Sequence, residues 1–163
     1  MLELRPTAFD HPDAVKLIAE LQGFYRERYG GGDDTPVAPT EFAPPHGHFV
    51  IGYSDGVPVA CGGWRVASTA DGFLQPGDAE IKRMYVAPDQ RGRGFARAML
   101  AELERSAAAA GRTRVVLETG TAQPEAMALY RSSGYHPIPT FGHYREEPGS
   151  RCFAKQIAPN SLD

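Results

Sequence analysis

The stretch that most constrains this chain is residues 80–97, Glu-Ile-Lys-Arg-Met-Tyr-Val-Ala-Pro-Asp-Gln-Arg-Gly-Arg-Gly-Phe-Ala-Arg. Ile81, Met84 and Val86, with Tyr85 between them, read as a half-buried to buried strand, and Pro88-Asp89 stops it. Gly92 and Gly94 then let the backbone come close to a ligand, because neither carries a Cβ. Beyond them Ala96, Met99, Leu100, Leu103 and Ala107 recur at helical spacing and define one apolar face. A strand that empties into a helix in this way presents unpaired N–H groups at the strand end, and such a terminus favours an anion through its donors and its dipole. Arg91, Arg93 and Arg97 add charge of the same sign, so a phosphate-bearing ligand is the first expectation.

The rest of the chain supplies a sheet around this stretch. Leu2 and Leu4 alternate with Glu3 and Arg5 as a short strand ended by Pro6. Asp10 is the expected N-cap of an amphipathic helix with Pro12 just inside it, and the helix closes with Arg26, Arg28 and Tyr29 before Gly30-Gly31-Gly32. Residues 30–47 are rich in glycine, proline and acids and read as an irregular loop, a lid or an inert surface segment. His48–Tyr53 and Val57–Val66 flank Ser54-Asp55-Gly56, a hairpin signal. After the central stretch come a strand at Val115–Thr119, a helix at Gln123–Ser132 with Thr121 as N-cap and Gly134 beyond its end, a strand-like start at Tyr135, a proline-rich loop holding His143 and Tyr144, and a closing strand at Arg151–Ile157. This order predicts a mixed α/β (α+β) sheet with a right-handed parallel strand-helix-strand unit around residues 80–118.

Composition bounds the function classes. The 163 residues, 42% hydrophobic, fit a single domain spanning 1–163. A net charge of −3 argues against a nucleic-acid partner, which requires a basic face. The absence of a long apolar run and of a charged-then-apolar leader at Met1–Arg5 gives no membrane partner and a cytoplasmic location as the expectation. Cys61 and Cys152 each sit in an apolar run and read as buried thiols, and His46 and His48 have no companion ligands, so no metal is expected.

Two phosphate-binding devices fail on residues: there is no Gly-x-x-x-x-Gly-Lys-Ser/Thr run, and Gly92-Arg-Gly94-Phe-Ala-Arg97 lacks the third glycine of a dinucleotide fingerprint. Arg91-Gly-Arg-Gly94-Phe-Ala96 instead resembles the Arg/Gln-x-x-Gly-x-Gly/Ala turn of the GNAT superfamily of acetyl-CoA-dependent N-acetyltransferases. Glu80–Val86 resembles that family's fourth strand, Gly92–Ala110 its pyrophosphate-side helix and Val115–Thr119 its fifth strand. Ala126-Met-Ala-Leu-Tyr130 with Gly134-Tyr135 resembles its Ala-x-x-Leu-Tyr…Gly-Phe/Tyr signature.

The resemblance implies a mostly antiparallel sheet of about six or seven strands flanked by helices, with a splayed parallel pair at the cofactor site. It implies acetyl-CoA as co-substrate, with pyrophosphate on Arg91, Gly92, Arg93, Gly94, Phe95, Ala96 and Arg97, and the pantetheine arm along Met84, Tyr85 and Val86. Gln123 stands where many relatives carry an asparagine against the pantetheine. Tyr130 is implied as the acid that protonates the departing thiolate as well as a cofactor contact, and Glu80 as the base that collects the amine's proton, with Glu118 the next candidate and a water chain the other. The expected acceptor is a primary amine of a small molecule or a protein. A non-catalytic acyl-CoA sensor of the same fold is the alternative. Pairing of two copies through Arg151–Ile157, as an exposed strand edge, gives a homodimer as a further expectation.

Overall fold

The structure is a computed structural model that describes residues 1–70 and 73–157. Strands β1 (Leu2–Pro6), β2 (Gly47–Ser54), β3 (Val57–Val66), β4 (Asp78–Val86), β5 (Arg114–Gly120), β6 (His136–Ile138) and β7 (Ser150–Gln156) form one sheet in the order β1-β2-β3-β4-β5-β7-β6. All neighbours are antiparallel except β4 and β5, which run parallel. Helices α1 (Pro12–Tyr29), α2 (Phe95–Ala109) and α3 (Pro124–Ser132) complete the fold. Among the described residues no helix is long and apolar enough to cross a membrane.

Strand alternation divides the core. Val50, Ala60, Trp64, Ile81, Val115, Leu117 and Phe153 meet Met99, Leu100, Leu103 and Ala107 of α2 on one side. Their neighbours Phe49, Ile51, Cys61 and Tyr85 meet Ala14, Leu17 and Leu21 of α1 on the other. Each fully buried leucine contributes about 2 kcal/mol, so the helical periodicity read from residues 96–107 is what clamps α2 to the sheet. Cys61 and Cys152 are buried and unpaired with one another.

Local chemistry sets the element ends. His11, one residue later than Asp10, caps α1, its Nδ1 accepting from the Asp13 amide at 3.0 Å, and Pro12 takes the first helical position. Asp55 and Gly56 are both left-handed, φ 51° and 78°, the conformation a two-residue hairpin turn needs. Helix α2 begins at Phe95 rather than Gly92, because Gly92 and Gly94 both adopt left-handed φ, 79° and 80°, which no helix interior accommodates. Helix α3 starts behind Gln123, not Thr121.

Three features differ from the sequence reading in ways that bear on the site. Strand β7 is not an edge: it lies between β5 and β6, so the backbone groups expected to invite a second copy are paired within the chain. Residues 30–47 are not structureless; a short 3-10 helix at Pro39–Phe42 buries Phe42 against Phe9 and Phe49. Strand β4 carries a bulge: pairing passes from Cys61↔Tyr85 to Gly63↔Lys82, and Arg83 takes φ 60°.

Candidate active site

Strands β4 and β5 pair only at Asp78↔Arg114, Ala79↔Val115 and Glu80↔Val116, and then separate. From Ile81 onward the side of β4 that faced β5 has no strand beside it. The gap opens into a cavity of about 440 Å³ lined by Ile81, Lys82, Arg83 and Met84 of β4, Leu117–Gly120 of β5, Gln123 and Tyr130 of α3, Tyr25 and Tyr29 of α1, and loop residues that include Asp33, Tyr144 and Glu147.

Beyond the end of β4 the chain enters the glycine-arginine turn. Within α2 the first amide with an acceptor is that of Ala98, bonded to Gly94 O at 3.0 Å, and the N–H groups of residues 92–97 have no backbone acceptor among the described residues. A Cβ built at Gly92 or Gly94 would meet nothing within 4 Å, so the space in front of the turn is open to a ligand. Two of the three arginines are engaged by the protein. Arg91 Nε donates to Val86 O at 3.2 Å and its guanidinium lies over the Phe24 ring. Arg97 donates to the Ser132 and Ser133 hydroxyls at 2.9 and 3.0 Å, tying α2 to α3. Arg93 makes no such bond among the described residues and is exposed. The donors on offer are therefore main-chain amides, with the arginines contributing mainly their field.

Along β4, Met84 lines the cavity, whereas the Tyr85 ring packs against α1, with its hydroxyl donating to Glu20 at 3.1 Å, and Val86 packs in the α2 core. Neither Tyr85 nor Val86 lines the cavity, and the Val86 carbonyl is taken by Arg91. The Gln123 Oε1 accepts from the Tyr29 hydroxyl at 2.8 Å, which leaves its amide N–H groups for the cavity.

Two titratable groups face one another's side of the cavity. The Tyr130 ring is buried against Tyr135 and Phe153 while its residue lines the cavity, and burial pushes its phenol up to about 12. Burial also pushes the Glu118 carboxyl up to about 7, against the opposing pull of the Lys82 charge and with the Asp33 and Glu80 charges adding to the rise. The Ser150 hydroxyl donates to Glu118 Oε2 at 3.3 Å.

Glu80, the first-choice base, does not line this cavity, although its charge reaches Glu118. Its carboxylate is 8% exposed and accepts from Arg65 Nε at 3.1 Å, in a separate cavity of about 370 Å³ with Glu41, His143 and Arg145. A guanidinium already engages one of its two carboxylate oxygens. Glu118 stands in the splay instead. His143 stacks edge-on against Tyr144 and stays outside the main cavity. Among the described residues no group of three or more His, Cys, Asp or Glu is placed to hold a metal.

The sequence reading missed a buried cluster beside the splay. Asp33, Lys82 and Arg83 come together, with Lys82 Nζ 3.0 Å from Asp33 Oδ2 and the Arg83 guanidinium on the same oxygen. The signal was adjacent cations, Lys82-Arg83, in the middle of a strand. Regular alternation would send them to opposite faces, and the bulge at Arg83 lets both reach one carboxylate.

Residues 14–135 match the acetyltransferase (GNAT) family. The chain belongs to that family. It is therefore an acyltransferase of the GNAT class, and the sensor alternative is set aside. Among its relatives, an "IAA acetyltransferase" of Azospirillum brasilense is 33% identical over 143 residues, 88% of this chain and 90% of that one. The "N-alpha-acetyltransferase RimI" of Mycobacterium tuberculosis is 31% identical over 148 residues, 90% of this chain and 87% of that one. Among solved structures, the PaiA N-acetyltransferase of Thermoplasma acidophilum, crystallised with coenzyme A, superposes with a TM-score of 0.70 at 13% identity, covering 96% of this chain and 99% of that one. That likeness is one of fold. The GNAT architecture accounts for the mixed sheet and for the parallel pair that separates at β4 and β5.

Proposed function

We propose that this GNAT protein transfers the acetyl group of acetyl-CoA to a primary amine of a small molecule or a protein, within the splay between β4 and β5. The observation that carries the reading is that the gap beside β4 has both Glu118 and Tyr130 on its walls, and that β4 runs on into a turn whose main-chain amides are open. Acetyl-CoA supplies the acyl group as a thioester. The amides of residues 92–97 suit its pyrophosphate, the unpaired side of Met84, Tyr85 and Val86 suits its pantetheine, and the Gln123 amide lies within the same wall.

Glu118 takes the base role in place of Glu80. A primary amine near pKa ~10 arrives charged and must lose a proton before it attacks, and burial in the cleft lowers its pKa toward that of the glutamate. Glu118, raised to about 7, is about half ionised at neutral pH and basic enough to take that proton. As the C–N bond forms and the C–S bond breaks, Tyr130 gives a proton to the sulfur, and the remaining N–H proton of the adduct restores it. A phenol pushed to about 12 is a weak acid, but the burial that weakens it raises the basicity of a thiolate beside it. A polarising donor for the thioester carbonyl comes from the β4 main chain near Met84, so no side chain is needed there.

The test is release of coenzyme A thiol from acetyl-CoA across a panel of small amines and peptide N-termini. Amine-dependent thiol release is the expected result. Binding of acetyl-CoA with no turnover of any amine would overturn the reading.

A further inference from the structure

The Asp33 cluster has no part in the transfer steps above, yet it is the most ordered charge arrangement in the cleft. The Asp33 main chain is held on both sides by one residue of α1: its N–H donates to Gln22 Oε1 at 2.6 Å, and its carbonyl accepts from Gln22 Nε2 at 3.1 Å. The next amide, of Asp34, donates to the Tyr144 hydroxyl at 2.6 Å. One carboxylate oxygen accepts from the Thr35 amide at 3.0 Å, and the other meets Lys82 and Arg83. The aspartate is thus delivered to the cleft as a rigid anion, and the neighbouring Lys82 and Arg83 charges hold it at about 2 although burial alone would raise it.

Register explains why that matters. Lys82 and Glu118 each lie two residues past the last β4–β5 pair, Glu80↔Val116, and side chains repeat direction every second residue along a strand. The ammonium and the glutamate therefore project on the same side across the mouth of the splay. The other groups facing Glu118 are Glu80 of β4, Ser150 of β7, and Tyr144 and Glu147 of the loop before β7. Lys82 and Arg83 are the cations lining this cleft, and Asp33 engages both.

We propose that Asp33 is a positioning residue that holds the Lys82 ammonium off Glu118, leaving the glutamate free to accept the acceptor's proton. The inference rests on the reading of Glu118 as the base. Without Asp33, Lys82 pairs with Glu118, which strengthens the glutamate as an acid and weakens it as a base.

The experiment is the pH dependence of kcat/KM in D33N, K82M and D33N/K82M, with coenzyme A affinity measured by calorimetry as a check on the fold. In the wild type, Glu118 introduces a break near neutrality. In D33N that break moves down by about one pH unit. In D33N/K82M it returns to the wild-type position or above, because no ammonium remains to turn. A break that stays in place in D33N, or one that D33N lowers as much in the K82M background as in the wild type, overturns the proposal, because loss of the Asp33 charge acts equally in both backgrounds and only a turning Lys82 makes the shifts differ. If D33N does not fold, K82M and D33N/K82M decide: breaks that nearly coincide support the proposal, and one lower by about a full pH unit in the double variant overturns it. The two readings separate through E118Q. If E118Q keeps the break, the base assignment itself falls; if the break depends on Glu118 but ignores Asp33, only the positioning role falls.

Discussion

At the turn end of the splay, the groups on offer are amides of residues 92–97, exposed, local in sequence and placed by two left-handed glycines. At the opposite end they are side chains, buried Lys82 and Arg83 with half-buried Asp33 and Glu118, drawn from three separate stretches of chain. The contrast teaches what each end can tolerate. An amide site keeps its donors whatever its neighbouring side chains are, provided the backbone keeps its shape. An ionic site changes its chemistry with any one charge, because in a low-dielectric cleft each group sets the proton affinity of the next.

The largest expected effect is at the buried end. E118Q removes the proton acceptor and should lower kcat/KM by about 10²–10⁴-fold, with coenzyme A affinity unchanged by calorimetry. Y130F should lower turnover by about 10²-fold at saturating acetyl-CoA, again without loss of affinity; an unchanged turnover number would reduce Tyr130 to packing.

The turn end should behave in the reverse sense. G94D should weaken coenzyme A binding by about tenfold or more, since a carboxylate at a helix N-terminus competes with the anion the amides would take. Its turnover at saturation should stay near wild type. Smallest is R93A, a few-fold loss of affinity that fades with added salt, as expected of an exposed charge acting through its field. If R93A costs as much as G94D, side chains rather than amides hold the anion, and the contrast between the two ends breaks.

The same contrast governs what could be read from the chain. The turn, the α2 face and the Asp55-Gly56 hairpin were legible because each rests on chemistry within a few residues: left-handed glycines, a helical apolar repeat, a two-residue turn. The buried end was not. Nothing in Glu80 distinguishes it from Glu118 until Arg65, from the neighbouring strand, is seen to hold it. The docking of residues 33–36 depends on Gln22, Arg65 and Tyr144, all distant in sequence. The bulge at Arg83 breaks strand alternation at a residue type with no preference for positive φ. The short β6, which covers β7 and removes the expected pairing edge, is three residues long and begins beside a proline, below what periodicity can resolve.

The pH profile of kcat/KM for wild type and E118Q, compared side by side, tests the central claim most directly. The acceptor amine alone gives log kcat/KM a slope of about one up to its own pKa of ~10. A Glu118 that takes the proton of the bound ammonium removes that dependence above its own pKa, raised to about 7, and leaves a slope of about one below it, where protonation removes the base. The wild type should therefore rise with a slope of about one and level off near neutrality, and E118Q should keep a slope of about one up to ~10, far below the wild type at neutral pH. A break near neutrality that survives in E118Q, at undiminished rate, would contradict the account.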